Sequence, residues 1–125
     1  MRTVLELSNR LNEGRPLSIL LGDFLDEFYR SDDSKRLAMI EAVPEPIDEP
    51  DYLGPFLAAA VHKLANDHDL PVPGWVFEGR FFLPGDRPHV GEEASGGLRA
   101  FYLLVSPGEF KARNIFVSDN CLSRA

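Results

Sequence analysis

Four kinds of side chain in this sequence could do chemistry: one cysteine, three histidines, a concentration of carboxylates, and a group of aromatics around a single tryptophan. Cys121 would be a nucleophile only if a neighbouring base or cation lowered its pKa. Its sequence neighbours Asn120 and Leu122 supply neither, so the thiol reads as structural. His62 and His68 stand six apart, not at the three or four that place two ligands on adjacent turns of a helix, and no HExxH surrounds them. His68, between Asp67 and Asp69, suits the C-terminus of a helix, where a positive ring meets the carbonyl end of the dipole. One cysteine and three histidines cannot compose a four-ligand zinc pattern, and no metal or cofactor is implied. GWVFEGRFF has two glycines but lacks the strand, turn and helix context of a phosphate loop, and no nucleophile elbow is present.

The aromatics admit two uses. Trp75, Phe77, Phe81 and Phe82 could wall a small-molecule pocket with Arg87 or His89 as its polar group, the reading of a ligand-binding protein or small enzyme. The same side chains could instead anchor a loop on the core, in which case the Trp75 indole N–H needs an acceptor. The carboxylates are unevenly placed. Between residues 23 and 51 there are ten of them against three cations, including Asp23, Asp26 and Glu27 and then Glu45, Asp48 and Glu49. Such a surface would steer the chain toward a cation-rich partner, raising the encounter rate more than the final affinity. A merely solvated face is the rival reading. The net charge of -7 has the wrong sign for neutralising phosphates, so direct nucleic-acid binding is disfavoured. Residues 99–125, with four cations against two carboxylates, are too weakly basic to reverse that.

The elements that must position these groups follow from periodicity. Val4, Leu7 and Leu11 mark a short first helix. Gly14 breaks it, and Pro16 suits the first turn of a second helix whose Leu17, Leu20, Leu21, Phe24, Leu25, Phe28 and Tyr29 recur at i, i+3 and i+4 through Arg30. Ser31, Asp32 and Asp33 can start a third helix carrying Leu37, Ile40 and Val43 and stopping near Pro44. PEPIDEPDY is too rich in proline for a helix or central strand, and residues 44–51 form an extended acidic connector. Phe56, Leu57, Ala60, Val61 and Leu64 give a fourth helix over 54–67. Residues 70–97 are an ordered aromatic crossover, because leaving so many large apolar groups in water would forfeit about 1.5–3 kcal/mol each. LRAFYLLV, residues 98–105, fits a buried helix better than a buried strand. Ser106, Pro107 and Glu109 compose a capping box for a short helix to about Arg113. Ile115, Phe116 and Val117 suit a buried extended piece, and Ser118 a last turn with Cys121 and Leu122.

The expected fold is therefore all-α: one domain over residues 1–125, a compact bundle of five to six helices with a long ordered crossover and a short extended C-terminal segment. No run of about 18 apolar residues is present and the N-terminal residues show no signal-peptide core, so a cytoplasmic setting is the expectation. The order of segments resembles a family of small bacterial proteins. In that family FLDEFY precedes a helix with A-x-x-H-x-L-A, then LPxPxW, an aromatic loop with FL, and LRAxxLxxSPxxFxxRNIFVSxxxLSRA. Here these are Phe24–Tyr29, Ala59–Ala65, Leu70–Trp75, Phe82 and Leu83, and Leu98–Ala125. The resemblance implies a partner of nucleotidyltransferase-like proteins in toxin-antitoxin-type gene pairs, related to the C-terminal parts of helix-turn-helix regulators. No catalytic residues come with it. The sequence departs from the pattern at Asp69, where a glycine ordinarily ends the helix, and it has no attached helix-turn-helix. The reading is thus a non-enzymatic interaction or regulatory module, antitoxin-like, with the six carboxylates at residues 23–49 facing a protein partner.

Overall fold

The computed structural model describes residues 1–90, 106–117 and 121–122. The helix expected over 98–105, the last crossover residues 91–97 and the Ser118 cap lie outside the described residues. What is described is mostly helical: α1 Val4–Asn12, α2 Leu17–Arg30, α3 Asp33–Ile40, α4 Leu53–Asp67 and the short α5 Gly108–Lys111. Two 3₁₀ turns, Gly74–Phe77 and Gly79–Phe81, carry the crossover, and the pair β1 His89–Val90 and β2 Ile115–Phe116 runs parallel with His89 opposite Ile115.

Each helix starts where its chemistry permits. Thr3 Oγ1 accepts the Glu6 N–H at the head of α1, and Asp32 accepts the Lys35 N–H at the head of α3. Pro16 stands immediately before α2 as its N-cap, where its missing N–H costs nothing. The third helix ends at Ile40, three residues short of Val43. Pro44 disfavours the helical region for the residue before it, so Val43 turns outward and is 40% exposed, while Met39, Ile40 and Pro44 are buried.

The central element is α4, buried from Pro55 through Val61 and again at Leu64 and Ala65. Its run of three alanines lets neighbouring segments approach closely, and it touches α5 and both 3₁₀ turns. One cluster of buried side chains extends from Val4 to Leu122 and includes Phe28, Leu57, Val76, Phe110 and Ile115. At the end of α4, Asp69 adopts φ 53, Leu70 N–H bonds Ala65 C=O and Asp69 N–H bonds Asn66 C=O. This is a Schellman termination with an aspartate in the left-handed position that glycine occupies more cheaply. The His68 ring nitrogen bonds the Leu64 carbonyl in the same last turn, at 2.9 Å.

Two C-terminal expectations are corrected. Ser106 does not cap α5, which has Pro107 as its N-cap and no side-chain cap. Its buried hydroxyl instead accepts the Val117 N–H and donates to the Val117 carbonyl, both at 2.8 Å, tying the chain before α5 to the chain after β2. The would-be capping partner Glu109 accepts a hydrogen bond from Asn66 on α4. In the tail, Ile115 and Val117 are buried while Phe116 is half-buried, the alternation a strand imposes, so the large aromatic is not the one that fills the core.

Candidate functional site

The acidic connector is held at both ends. At its entry the Glu45 N–H donates to Ser8 Oγ at 2.8 Å and the Asn12 amide donates to the Pro46 carbonyl at 3.0 Å. Ser8 and Asn12 are one turn apart on α1, so a single helix face grips two successive backbone groups. Pro44 is buried and Ile47 packs on the core. At its exit Arg87 pairs with Asp51 at 3.0 Å, and the His89 ring stacks on Tyr52 with centroids 3.7 Å apart and planes 8° from parallel. Between these anchors Glu45, Asp48 and Glu49 are exposed, and among the described residues none of the three forms an ion pair. Extended backbone fixed in this way presents three carboxylates without the entropy of a loose loop.

The other three predicted carboxylates lie elsewhere. Glu27 on α2 is largely covered, bonded to Arg2 at 3.1 Å and to Lys35 at 3.2 Å. Partial burial pushes its pKa up, but the hydrogen bonds from Lys35 and Arg2 outweigh that and hold it below the ordinary carboxylate value. Asp26 is half-buried and Asp23 is exposed. Asp23 and Glu27 line a groove of about 570 Å³ between α1 and α2, together with Glu6 and Arg10. At 100° per residue, Glu6 and Arg10 stand about 160° around α1 from Ser8 and Asn12. The six carboxylates therefore do not form one acidic face: α1 separates them, with the connector on one flank and the groove on the other.

The aromatic candidates also divide. Trp75 is buried, packs edge-on against Phe81 with centroids 5.1 Å apart, and donates its indole N–H to the Ile40 carbonyl at 3.1 Å. It anchors the crossover. Phe77 is 55% exposed with its edge against His62, Phe82 lies under the Arg113 guanidinium, and Arg87 and His89 hold the connector's exit as described. None of the six lines the α1–α2 groove. Cys121 is half-buried against the core. Among the described residues no three His, Cys, Asp or Glu side chains gather as a metal site.

The residue that sequence reasoning missed is Arg113. It is 1% exposed and joins three segments: one terminal nitrogen donates to the Glu109 carbonyl and to His62 Nδ1, and the other donates to the Val76 carbonyl at 2.8 Å. A guanidinium only donates, so His62 Nδ1 is the acceptor and the imidazole proton sits on Nε2. Burial, and then the Arg113 charge, hold His62 below the ordinary histidine pKa. Burial likewise lowers the Arg113 pKa. Its role is architectural. A buried position for one arginine in RNIFVS gives no signal in sequence, because its partners are 4, 37 and 51 residues away.

Among the described residues no helix is long and apolar enough to cross a membrane. No protein-family model, curated protein or solved structure matches the chain.

Proposed function

We propose that the protein is a non-enzymatic interaction module, an antitoxin-like regulatory partner of a nucleotidyltransferase-like protein, and that it meets that partner through the acidic connector. The observation carrying this reading is the anchoring of residues 44–52 by Ser8, Asn12, Arg87 and His89, which leaves Glu45, Asp48 and Glu49 exposed on fixed backbone. A preorganised strip loses little entropy on docking, and unpaired carboxylates on it raise the association rate with a basic surface. The partner's identity comes from the resemblance of FLDEFY, LPVPGW and SPGEFKARNIFVS to the bacterial family described above.

The test is co-purification with the product of the adjacent gene, followed by stopped-flow association. Replacing Glu45, Asp48 and Glu49 with Gln, Asn and Gln should slow association severalfold and flatten its dependence on salt, with the thermal melt unchanged. Absence of a complex at low ionic strength, or a complex indifferent to the triple substitution, would remove the reading.

A further inference from the structure

The groove between α1 and α2 has a composition distinct from the connector. Its floor is apolar, from Leu7, Leu20 and Phe24, and its rim carries Ile19, 62% exposed and one of four large hydrophobic side chains that the described residues leave in water. Arg15, Ile19 and Asp23 are spaced four apart along this rim and all three are exposed. Ile19 and Asp23 are one turn apart on α2, and Arg15 precedes the helix by the Pro16 cap. The other charges of the groove are satisfied internally, Arg10 by Glu6 and Arg2 by Glu27, whereas among the described residues Arg15 and Asp23 form no ion pair.

This order, cation, apolar residue, anion at equal spacing, is self-complementary. When two copies of α2 run antiparallel about a two-fold axis at Ile19, the isoleucines meet on the axis, Arg15 of each copy faces Asp23 of the other, and both contacts are made twice by the same pair of positions. An isologous interface requires that reciprocity. An unrelated partner would need its own matching charges, and a basic partner would be repelled by Arg15. We propose that this face binds a second copy of the chain, forming a two-fold dimer through antiparallel α2 helices with Ile19 at its centre and reciprocal Arg15–Asp23 pairs at its rim.

A charge-swap cycle read by sedimentation equilibrium tests it. The unmodified protein should dimerise at concentrations up to about 1 mM, the weak end of specific association. Arg15→Asp brings two carboxylates face to face at both ends of the interface, and Asp23→Arg brings two guanidiniums face to face there. Each substitution alone should therefore weaken the dimer by about tenfold or more. The double variant should dimerise again. An equimolar mixture of the two single variants should also associate, as a heterodimer in which both pairs are attractive. Far-UV circular dichroism of each exposed-site variant should match the unmodified protein. A protein that stays monomeric throughout, or a dimer that neither single variant weakens, overturns the proposal. Failure of the mixture to associate overturns the two-fold pairing, because only a second copy can supply the complementary swap.

Discussion

Replacing Ser106 with Ala separates two accounts of the segment SPGE. As an N-cap, Ser106 would contribute about 1 kcal/mol. In the observed arrangement its hydroxyl satisfies both polar groups of the Val117 backbone, at 2.8 Å each, in a place where Ser106 is 5% and Val117 8% exposed. The methyl of alanine can replace neither bond. Two buried groups left without partners cost about 1–3 kcal/mol each, so the loss should be about 2–5 kcal/mol, a large share of a stability of roughly 5–15 kcal/mol. In urea unfolding, with a slope of about 1–3 kcal/mol per molar, the midpoint should fall by roughly 1–2 M at unchanged slope. Glu109→Gln is the paired control. It keeps an acceptor for Asn66 and should change little, although the capping-box account makes it costly. A Ser106→Ala loss no larger than about 1 kcal/mol would show that Val117 finds other partners and that the tie across α5 is not what holds the tail.

Two further outcomes follow from the same structure. Asp69→Gly should raise stability by about 0.5–1 kcal/mol, measured as a higher urea midpoint, because the left-handed φ of 53 at the end of α4 strains a residue with a Cβ and not glycine. Acidification should destabilise the fold through His62: its folded pKa lies below the unfolded value near 6.5, so the unfolded chain takes up a proton that the folded chain resists. Its stability contribution is complete above about pH 6.5 and declines as pH falls toward the folded pKa, so the melt should drop between about pH 7.5 and pH 5.5, and less so in His62→Gln. Glu27, whose folded pKa is lowered, loses its contribution only below about pH 4.5, outside that window.

What was legible in the sequence was whatever depends on near neighbours. The apolar spacing of Leu17 through Tyr29, the Asp32 cap and the need of Trp75 for an acceptor all follow from local chemistry, and all appear. The errors occur where a distant segment competes for a group. Ser106 has the right neighbours for a cap, but Val117, 11 residues on, takes its hydroxyl. Arg87 and His89 look like the polar wall of an aromatic pocket until Asp51 and Tyr52 are seen to meet them. The acidic stretch looks continuous because sequence cannot show that Ser8 and Asn12 draw the connector to one side of α1 while α2 lies on the other.

That separation has a consequence for how the two proposed surfaces combine. Dimerisation through the α1–α2 groove leaves the connector, about 160° away around α1, uncovered on each copy. A dimer then presents two acidic strips, and a partner that is itself multivalent, or a basic surface long enough to span both, is held more tightly than by one strip through effective concentration alone. The two surfaces should therefore be separable by valency. Loss of the dimer in Arg15→Asp should leave the intrinsic affinity of one connector for a monovalent partner unchanged, because neither Arg15 nor Ile19 belongs to the connector. The same variant should weaken binding to a multivalent partner, whereas neutralising Glu45, Asp48 and Glu49 should weaken both and leave self-association intact.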